Sequence, residues 1–151
     1  MTRANAAQHS RDSEQEAYDE LSAYTLMRGD ATFIHQHVVD AFAVQYSDEQ
    51  TKSIKLTFGL VGLYLKIEKQ FSGRQVQLAH MQMARKKHVW PAFEIPADRG
   101  SMRPSDVIAA PPGQERDKAI DSWCASVWAP WQSNRPTIAS LLEQHEIGHP
   151  G

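Results

Sequence analysis

Two apolar runs dominate the middle of the chain, over residues 33–71. The first run, from Asp30 to Gln45, contains neither proline nor glycine, and its apolar side chains fall on two sides of a helix at about 100° per residue. A helix that is apolar on two sides contacts neighbours all round. The second run, which begins at Ser47, also follows a helical pattern. We therefore predict a central pair of helices and an all-α fold.

Two glycines, Gly59 and Gly62, lie about one turn apart within the second run. Each glycine costs about 1 kcal/mol relative to alanine in the interior of a helix. A pair at this spacing therefore predicts that another backbone approaches the helix closely at this point.

The remaining elements are also helical in pattern, and no segment shows the alternation that is typical of strands. Capping-box sequences predict that helices begin after Ser13, Ser47 and Ser72. The clearest amphipathic period is that of Ile120, Trp123, Cys124 and Val127. Besides the central pair, which starts at Asp30 and at Ser47, the predicted helices cover residues 13–27, 73–88, 104–110, 114–129 and 136 to a stop at Gly148.

Residues 89–104 form a connector that is rich in tryptophan, proline and glycine, a composition that prevents a regular helix. A chain of 151 residues is long enough for one domain with a substantial core. We predict a single-domain helical bundle of four to five main helices, with this long Trp/Pro-rich connector wrapped over it. Residues 1–12 are predicted to be a flexible N-terminus, and residues 13–148 the helical domain.

The composition and charge of the chain limit which partners and which cellular compartment we expect. The net charge of −2 gives no general attraction to nucleic acid, and the cations at residues 85–87 complement a helix C-terminus. The longest apolar run without a charge, between Lys55 and Lys66, is too short to cross a membrane. Cys124 is the only cysteine, which excludes an intramolecular disulfide and fits a reducing cytoplasm. We expect a cytoplasmic protein without nucleic-acid or membrane partners.

One polar constellation could hold a metal ion. His37 and Asp40 lie one helical turn apart, where a carboxylate can orient an imidazole for metal binding or general-base catalysis. His80 joins them if its helix faces theirs across a bundle core, and His35 lies on the apolar face. These four residues predict a site for a divalent ion such as Zn, Fe, Ni or Mn. The alternative is a surface His37–Asp40 pair and a structural core histidine at His35.

The tryptophans offer a second candidate site, an apolar ligand pocket. A pocket lined by aromatic rings is typical of small-molecule sites. A tryptophan stripe at helical spacing is more often part of a protein core. The candidate lining residues are Trp90, Trp123, Trp128 and Trp131.

The order of several short motifs resembles a bacterial family of helical proteins of unknown function. The resemblance runs from His35 to Trp131, and Tyr46 and Gly59 stand where the family pattern has histidines. It implies a helical fold and supplies no activity. The matching motifs are His35, Asp40-Ala41-Phe42, Gln45, Gly62-Leu63-Tyr64, Glu68, Trp90-Pro91, Pro96, Arg99-Gly100, Asp106-Val107 and Trp123 with Trp128.

Three classes of function remain. No phosphate-binding loop and no nucleophile-elbow motif is present, so a non-enzymatic interaction or structural module comes first, as a homodimer through the apolar helices. A metal-binding bundle with hydrolase-type activity, built on the histidines and Asp40, is the alternative. A protein that binds a small apolar ligand is the third. No particular reaction or substrate follows from the residues.

Overall fold

A computed structural model describes residues 3–86 and 88–147, with side chains described from Ser10 onward. Over these residues the chain is helical and contains no β-strand, which confirms the predicted all-α class. Five of its helices are longer than ten residues, in agreement with four to five main helices. The elements are α1 (Arg3–Arg28), α2 (His35–Gln45), α3 (Ser53–Lys69), α4 (Gly73–Ala84), α5 (Pro104–Ala109), α6 (Gln114–Trp128), a 3-10 helix (Ala129–Asn134) and α7 (Arg135–Gln144).

The centre of the bundle is α2, which packs against α1, α3, α4 and α6. Three of its buried residues are polar. The buried residues of α2 are His37, Val38, Asp40, Ala41, Val44 and Gln45. Because helices of the same chain cover both apolar sides of α2, the pattern that suggested a homodimer is explained within one chain. Homodimerisation itself stays a prediction.

The first helix begins ten residues earlier than its capping-box sequence indicated. Since α1 starts at Arg3, Ser13 lies inside the helix and is not its N-cap. The residues before Ser13 include three alanines and two arginines, which favour helix and extend it toward the N-terminus. The flexibility of residues 1–12 stays a prediction. The stop at Gly29 is confirmed by its left-handed backbone, with φ of 56°.

The capping box predicted at Ser47 is wrong, because α3 begins only at Ser53. The Ser47 hydroxyl instead donates to the carbonyl of Val44 at 2.7 Å and closes the end of α2. Asp48 accepts a hydrogen bond from the backbone N–H of Gln50 at 2.9 Å, which builds a local turn in place of a first helical turn. Short polar side chains of this kind serve turns as readily as helix caps.

Asp30 is likewise not an N-cap, since α2 begins at His35. The Asp30 carboxylate accepts from the backbone N–H of Ile34 at 3.0 Å and holds a turn ahead of the helix. By contrast, the capping box at Ser72 is confirmed, with both of its hydrogen bonds to Gln75 present. Helix α4 ends at Ala84 instead of continuing to residue 88, and Lys87 lies outside the described residues.

The connector between α4 and α5 is fastened to the end of α2 by Arg99. Its guanidinium donates to three backbone oxygens there, those of Val44, Gln45 and Ser47, over 2.7–3.0 Å. These carbonyls lie in the last turn of α2 and just beyond it, where the helix supplies few donors, so the arginine and Ser47 together satisfy the helix end. The Gln45 side chain donates back to the carbonyl of Arg99 at 3.1 Å and accepts from the indole of Trp123 at 2.9 Å. Arg99 is thus a clamp on the C-terminal end of α2.

The amphipathic period over residues 114–129 is confirmed by α6, whose Ile120, Trp123, Cys124 and Val127 are buried. Pro130 does not end the helical path, because a 3-10 helix leads directly into α7. The predicted stop at Gly148 lies outside the described residues. Across the described part of the chain, no helix is long and apolar enough to cross a membrane.

Candidate functional site

A groove of about 270 Å³ opens where α2, α3 and α4 meet. Most of its wall is apolar, and a few polar side chains interrupt it, a composition typical of small-molecule sites. The apolar lining residues are Val39, Ala43, Ile54, Phe58 and Gly59. The polar lining residues are Gln36, Asp40, Lys55 and His80.

Asp40 is the most unusual of these residues, because its carboxyl group is buried with only one hydrogen bond. The residue is 3% exposed, and its Oδ1 accepts from the side-chain amide of Gln36 at 3.1 Å. Its Oδ2 is buried and has no partner. Burial raises the pKa of the Asp40 carboxyl well above its usual range, against the smaller opposing effect of the Gln36 hydrogen bond. Asp40 therefore holds a proton at pH values where a free aspartate is ionised.

The glycine pair of α3 makes room for α2, as predicted. A Cβ atom on Gly62 would lie 1.9 Å from Oδ2 of Asp40, and one on Gly59 would lie 2.8 Å from Cγ2 of Val44. The approach at Gly62 is made by a side chain rather than by the expected backbone. The absence of a side chain at Gly62 is thus what allows the Asp40 carboxyl to lie between the two helices.

His80 reaches the groove from α4 and is held by α3. One ring nitrogen, Nε2, lies 2.7 Å from the carbonyl oxygen of Phe58, and the two rings lie 5.1 Å apart. Because a carbonyl oxygen only accepts, Nε2 carries the hydrogen, and Nδ1 of the neutral ring is an acceptor. Burial lowers the pKa of His80, outweighing the opposing effect of the Phe58 hydrogen bond, so the neutral ring is favoured.

Lys55 lies at the rim of the groove on an exposed side chain. It does not form an ion pair with Asp40, and among the described residues no cation does. The carboxyl group thus lies beside the groove without the charged partner that a buried carboxylate ordinarily requires.

The four residues of the predicted metal site are not brought together. Among the described residues, no group of three or more His, Cys, Asp or Glu side chains could hold a metal ion. His35 is half-buried, and its Nδ1 lies 2.9 Å from the hydroxyl of Thr25. His80 is held by a backbone carbonyl, and Asp40 packs on α3. Metal binding by a smaller set of these side chains stays a prediction.

His37 and Asp40 do not form the surface pair that was the alternative interpretation, because both side chains are buried. Nδ1 of His37 has no partner, and burial lowers the pKa of this histidine to about 3, with a smaller contribution from Lys66. The carbonyl of His37 accepts from the thiol of Cys124 at 3.7 Å. Burial raises the pKa of Cys124 to about 12, so its thiol is unreactive at neutral pH.

Three of the four predicted pocket tryptophans, Trp123, Trp128 and Trp131, are fully buried in the core. Trp90 lies apart from them on the connector, where its ring meets Phe58 edge-on at 5.2 Å. Trp90 therefore supports the wall of the groove from behind. Ligand binding by these three core rings stays a prediction.

A second histidine cluster lies on the far side of Trp90. The ring of His145 stacks on Trp90 at 5.8 Å and meets His88 at 5.2 Å. His145 is 3% exposed, and both of its ring nitrogens are buried without a partner. Burial lowers the pKa of His145, and the nearby His88 and Lys86 add to this effect.

The sequence contained a signal for only part of the groove. Gln36 lies four residues before Asp40 on α2, a spacing at which amide and carboxyl side chains meet on a helix, so this pair could have been found. Phe58 and His80 are 22 residues apart on different helices. No local pattern predicts that contact, because it depends on how α3 and α4 pack.

Comparison with known proteins identifies a family and no individual relative. The model of a family of unknown function, DUF5946, matches residues 4–132. No curated protein and no solved structure matches the chain.

Proposed function

Because the chain belongs to DUF5946, a family of unknown function, we propose its function from the geometry of the groove: it is a small-molecule binding protein. The ligand site is the groove between α2, α3 and α4. The observation that carries this proposal is the buried carboxyl group of Asp40, which lines the groove, has no charged partner among the described residues and accepts its one hydrogen bond from Gln36, another residue of the groove wall.

A buried polar atom without a hydrogen bond costs about 1–3 kcal/mol, and folded proteins contain few of them. Among the described residues with such an atom, Asp40 is the one that lines this groove, and titratable groups with strongly shifted pKa values cluster at functional sites. Asp40 could be replaced by an apolar residue without loss of any ion pair, since it makes none with the described residues. A role in ligand binding explains why a carboxyl group occupies this position.

The size and wall of the groove limit the ligand. Ligand sites for drug-sized molecules typically have volumes of about 300–1,000 Å³. At about 270 Å³, this groove suits a small molecule with one compact apolar part that packs against Phe58, Ile54 and Val39. The polar side chains at one edge would fix its orientation.

The other two predicted functions have less support from the structure. The metal-binding bundle needs converging ligands, and the described residues form no such group. The homodimeric form of the interaction module rested on the two apolar sides of α2, and the chain itself covers them. The small-ligand alternative is the one that a specific cavity favours, although its lining differs from the predicted tryptophans.

A fragment titration followed by NMR tests the proposal. Fragments that bind should shift the amide and methyl signals of Ala43, Ile54 and Gly59 together, because these residues share the groove wall. Val39→Trp should fill the groove and abolish the shifts. Leu78→Trp is the matched control, since Leu78 is an exposed apolar residue of α4 that does not line the groove. A fragment library that leaves the groove signals unmoved would contradict the proposed function.

A further inference from the structure

We propose that the groove selects a small organic cation, an ammonium or amidinium group on a compact apolar body, which Asp40 binds in place of the Gln36 amide. This inference rests on the proposed function and names the class of its ligand. It is carried by the arrangement of donors and acceptors around the groove.

The polar atoms next to the groove are mainly acceptors. Asp40 offers carboxyl oxygens, and His80 offers Nδ1, because its Nε2 is already committed to the carbonyl of Phe58. The Gln36 amide nitrogen donates one of its two hydrogens to Asp40, and the amide oxygen of Gln36 is a third acceptor. Lys55 is the one charged donor among the described lining residues, and its side chain is exposed at the rim. A ligand rich in N–H donors complements this set.

The two oxygens of Asp40 differ in access. Oδ2 is enclosed against Gly62 and has no contact with solvent, so a ligand in the groove does not meet it. Oδ1 accepts from Gln36, a half-exposed side chain that itself lines the groove. The position next to Oδ1 is therefore already occupied by an N–H donor on a side chain that can move away. A cationic N–H donor at this position would replace a neutral hydrogen bond by a stronger, charge-assisted one.

The charge of a cation would also offset the cost of ionising the buried carboxyl group. Asp40 is the only acidic residue among the described residues that line the groove, and no resident cation pairs with it. A carboxylate at such a place becomes favourable when an opposite charge arrives within a few ångströms. The aromatic ring of Phe58 in the wall offers a further attraction, because ring faces attract cations.

Binding of a cation to this carboxyl group would release its proton. The free energy of binding then depends on pH, and the affinity rises with pH by up to about tenfold per unit while Asp40 is mostly protonated. A neutral ligand that accepts a hydrogen bond from the protonated carboxyl group of Asp40 would show the opposite dependence. The direction of the pH effect thus separates the two chemistries.

Benzylamine and benzyl alcohol form a matched pair of probes, because they share one shape and differ in charge. Their binding would be measured by NMR titration at pH 6 and pH 8, with Asp40→Asn beside the natural chain. Asn keeps the size of the side chain and resembles the neutral carboxyl group, so the variant should fold. We expect benzylamine to bind at least tenfold more tightly than benzyl alcohol at pH 8, more weakly at pH 6, and at least tenfold more weakly to Asp40→Asn.

Equal binding of the two probes, or benzylamine affinity that does not rise with pH, would overturn the cation class and leave the groove as a ligand site. The same holds if other fragments occupy the groove and benzylamine does not. If neither probe nor any other fragment shifts the groove signals, the proposed function and this inference fall together.

Discussion

The carboxyl group of Asp40 on α2 lies in the space that a side chain at position 62 of α3 would fill. An added Cβ atom on Gly62 would lie 1.9 Å from Oδ2 and 2.5 Å from Cγ of Asp40. These separations are far below van der Waals contact, so a side chain at position 62 and the carboxyl group of Asp40 cannot occupy this space together. The glycine admits the carboxyl group to the helix interface, and the groove beside it gains an acidic side chain that is screened from water.

This relationship predicts that Gly62→Ala destabilises the protein by about 1–3 kcal/mol, the usual cost of overpacking a core. In an Asp40→Ala background the clash is absent, so the cost of the alanine should mostly disappear. Urea unfolding of the two single variants and the double variant gives the coupling energy. Additive effects would show that the carboxyl group does not occupy this space.

The pH dependence of stability should report the buried carboxyl group. Because the folded pKa of Asp40 is raised, its stabilising contribution is complete below the unfolded pKa of about 3.9 and is lost as pH rises through the folded pKa. Asp40→Asn lacks this loss, so its stability relative to the natural chain should increase with pH by up to about 1.4 kcal/mol per unit. Unfolding curves from pH 4 to pH 8 measure this difference. A constant difference over the whole range would mean that Asp40 is ionised normally.

Arg99 should be essential for the end of α2. Arg99→Ala removes the donors to three backbone oxygens and is expected to cost about 2 kcal/mol or more, since hydrogen bonds from charged groups are worth about 1.5–3 kcal/mol. Arg99→Lys should recover less than half, because an ammonium group lacks the planar fork. Thermal unfolding compares them with Arg85→Ala, a change at an exposed arginine. An Arg99→Ala protein as stable as this control would refute the clamp.

His145→Phe should stabilise the protein by about 1 kcal/mol, because it keeps a ring on Trp90 and removes two buried nitrogens without partners. The lowered pKa of His145 adds a pH effect. Its neutral form stabilises the fold fully above the unfolded pKa of about 6.5, and this contribution is lost as pH falls through the folded pKa. The advantage of His145→Phe should thus be larger at pH 5 than at pH 8, as measured by urea unfolding.

His145→Ala provides the control for that change, because it removes the ring as well as the nitrogens and should destabilise the protein. A His145→Phe protein that is less stable than the natural chain at both pH values would show that the ring nitrogens have partners.

The sequence predicted the elements whose signals are local. The period of α6, the capping box at Ser72 and the stop at Gly29 all depend on residues a few positions apart, and the structure confirms them. The close approach at Gly62 is also present, although a side chain makes it and not the predicted backbone. The starts of α2 and α3 were wrong, because Asp30 and Asp48 build turns with their own neighbours instead of capping helices.

The candidate site was predicted less well, for a physical reason. Asp40 was singled out beside His37, but its observed hydrogen-bond partner is Gln36 on the same helix. Arg99 holds α2 from 54 residues away. Such long-range contacts are set by the packing of helices, which no local pattern in this chain specifies.

The most direct test of the account is the pKa of Asp40, read from the pH dependence of its side-chain carboxyl ¹³C signal with and without benzylamine. We predict a pKa well above the ordinary value of about 3.9 in the free protein. We predict a lower pKa when benzylamine is present, because the cation favours the ionised carboxylate. An Asp40 that titrates near 3.9 in the free protein, and is unmoved by the amine, would contradict both the site and its ligand class.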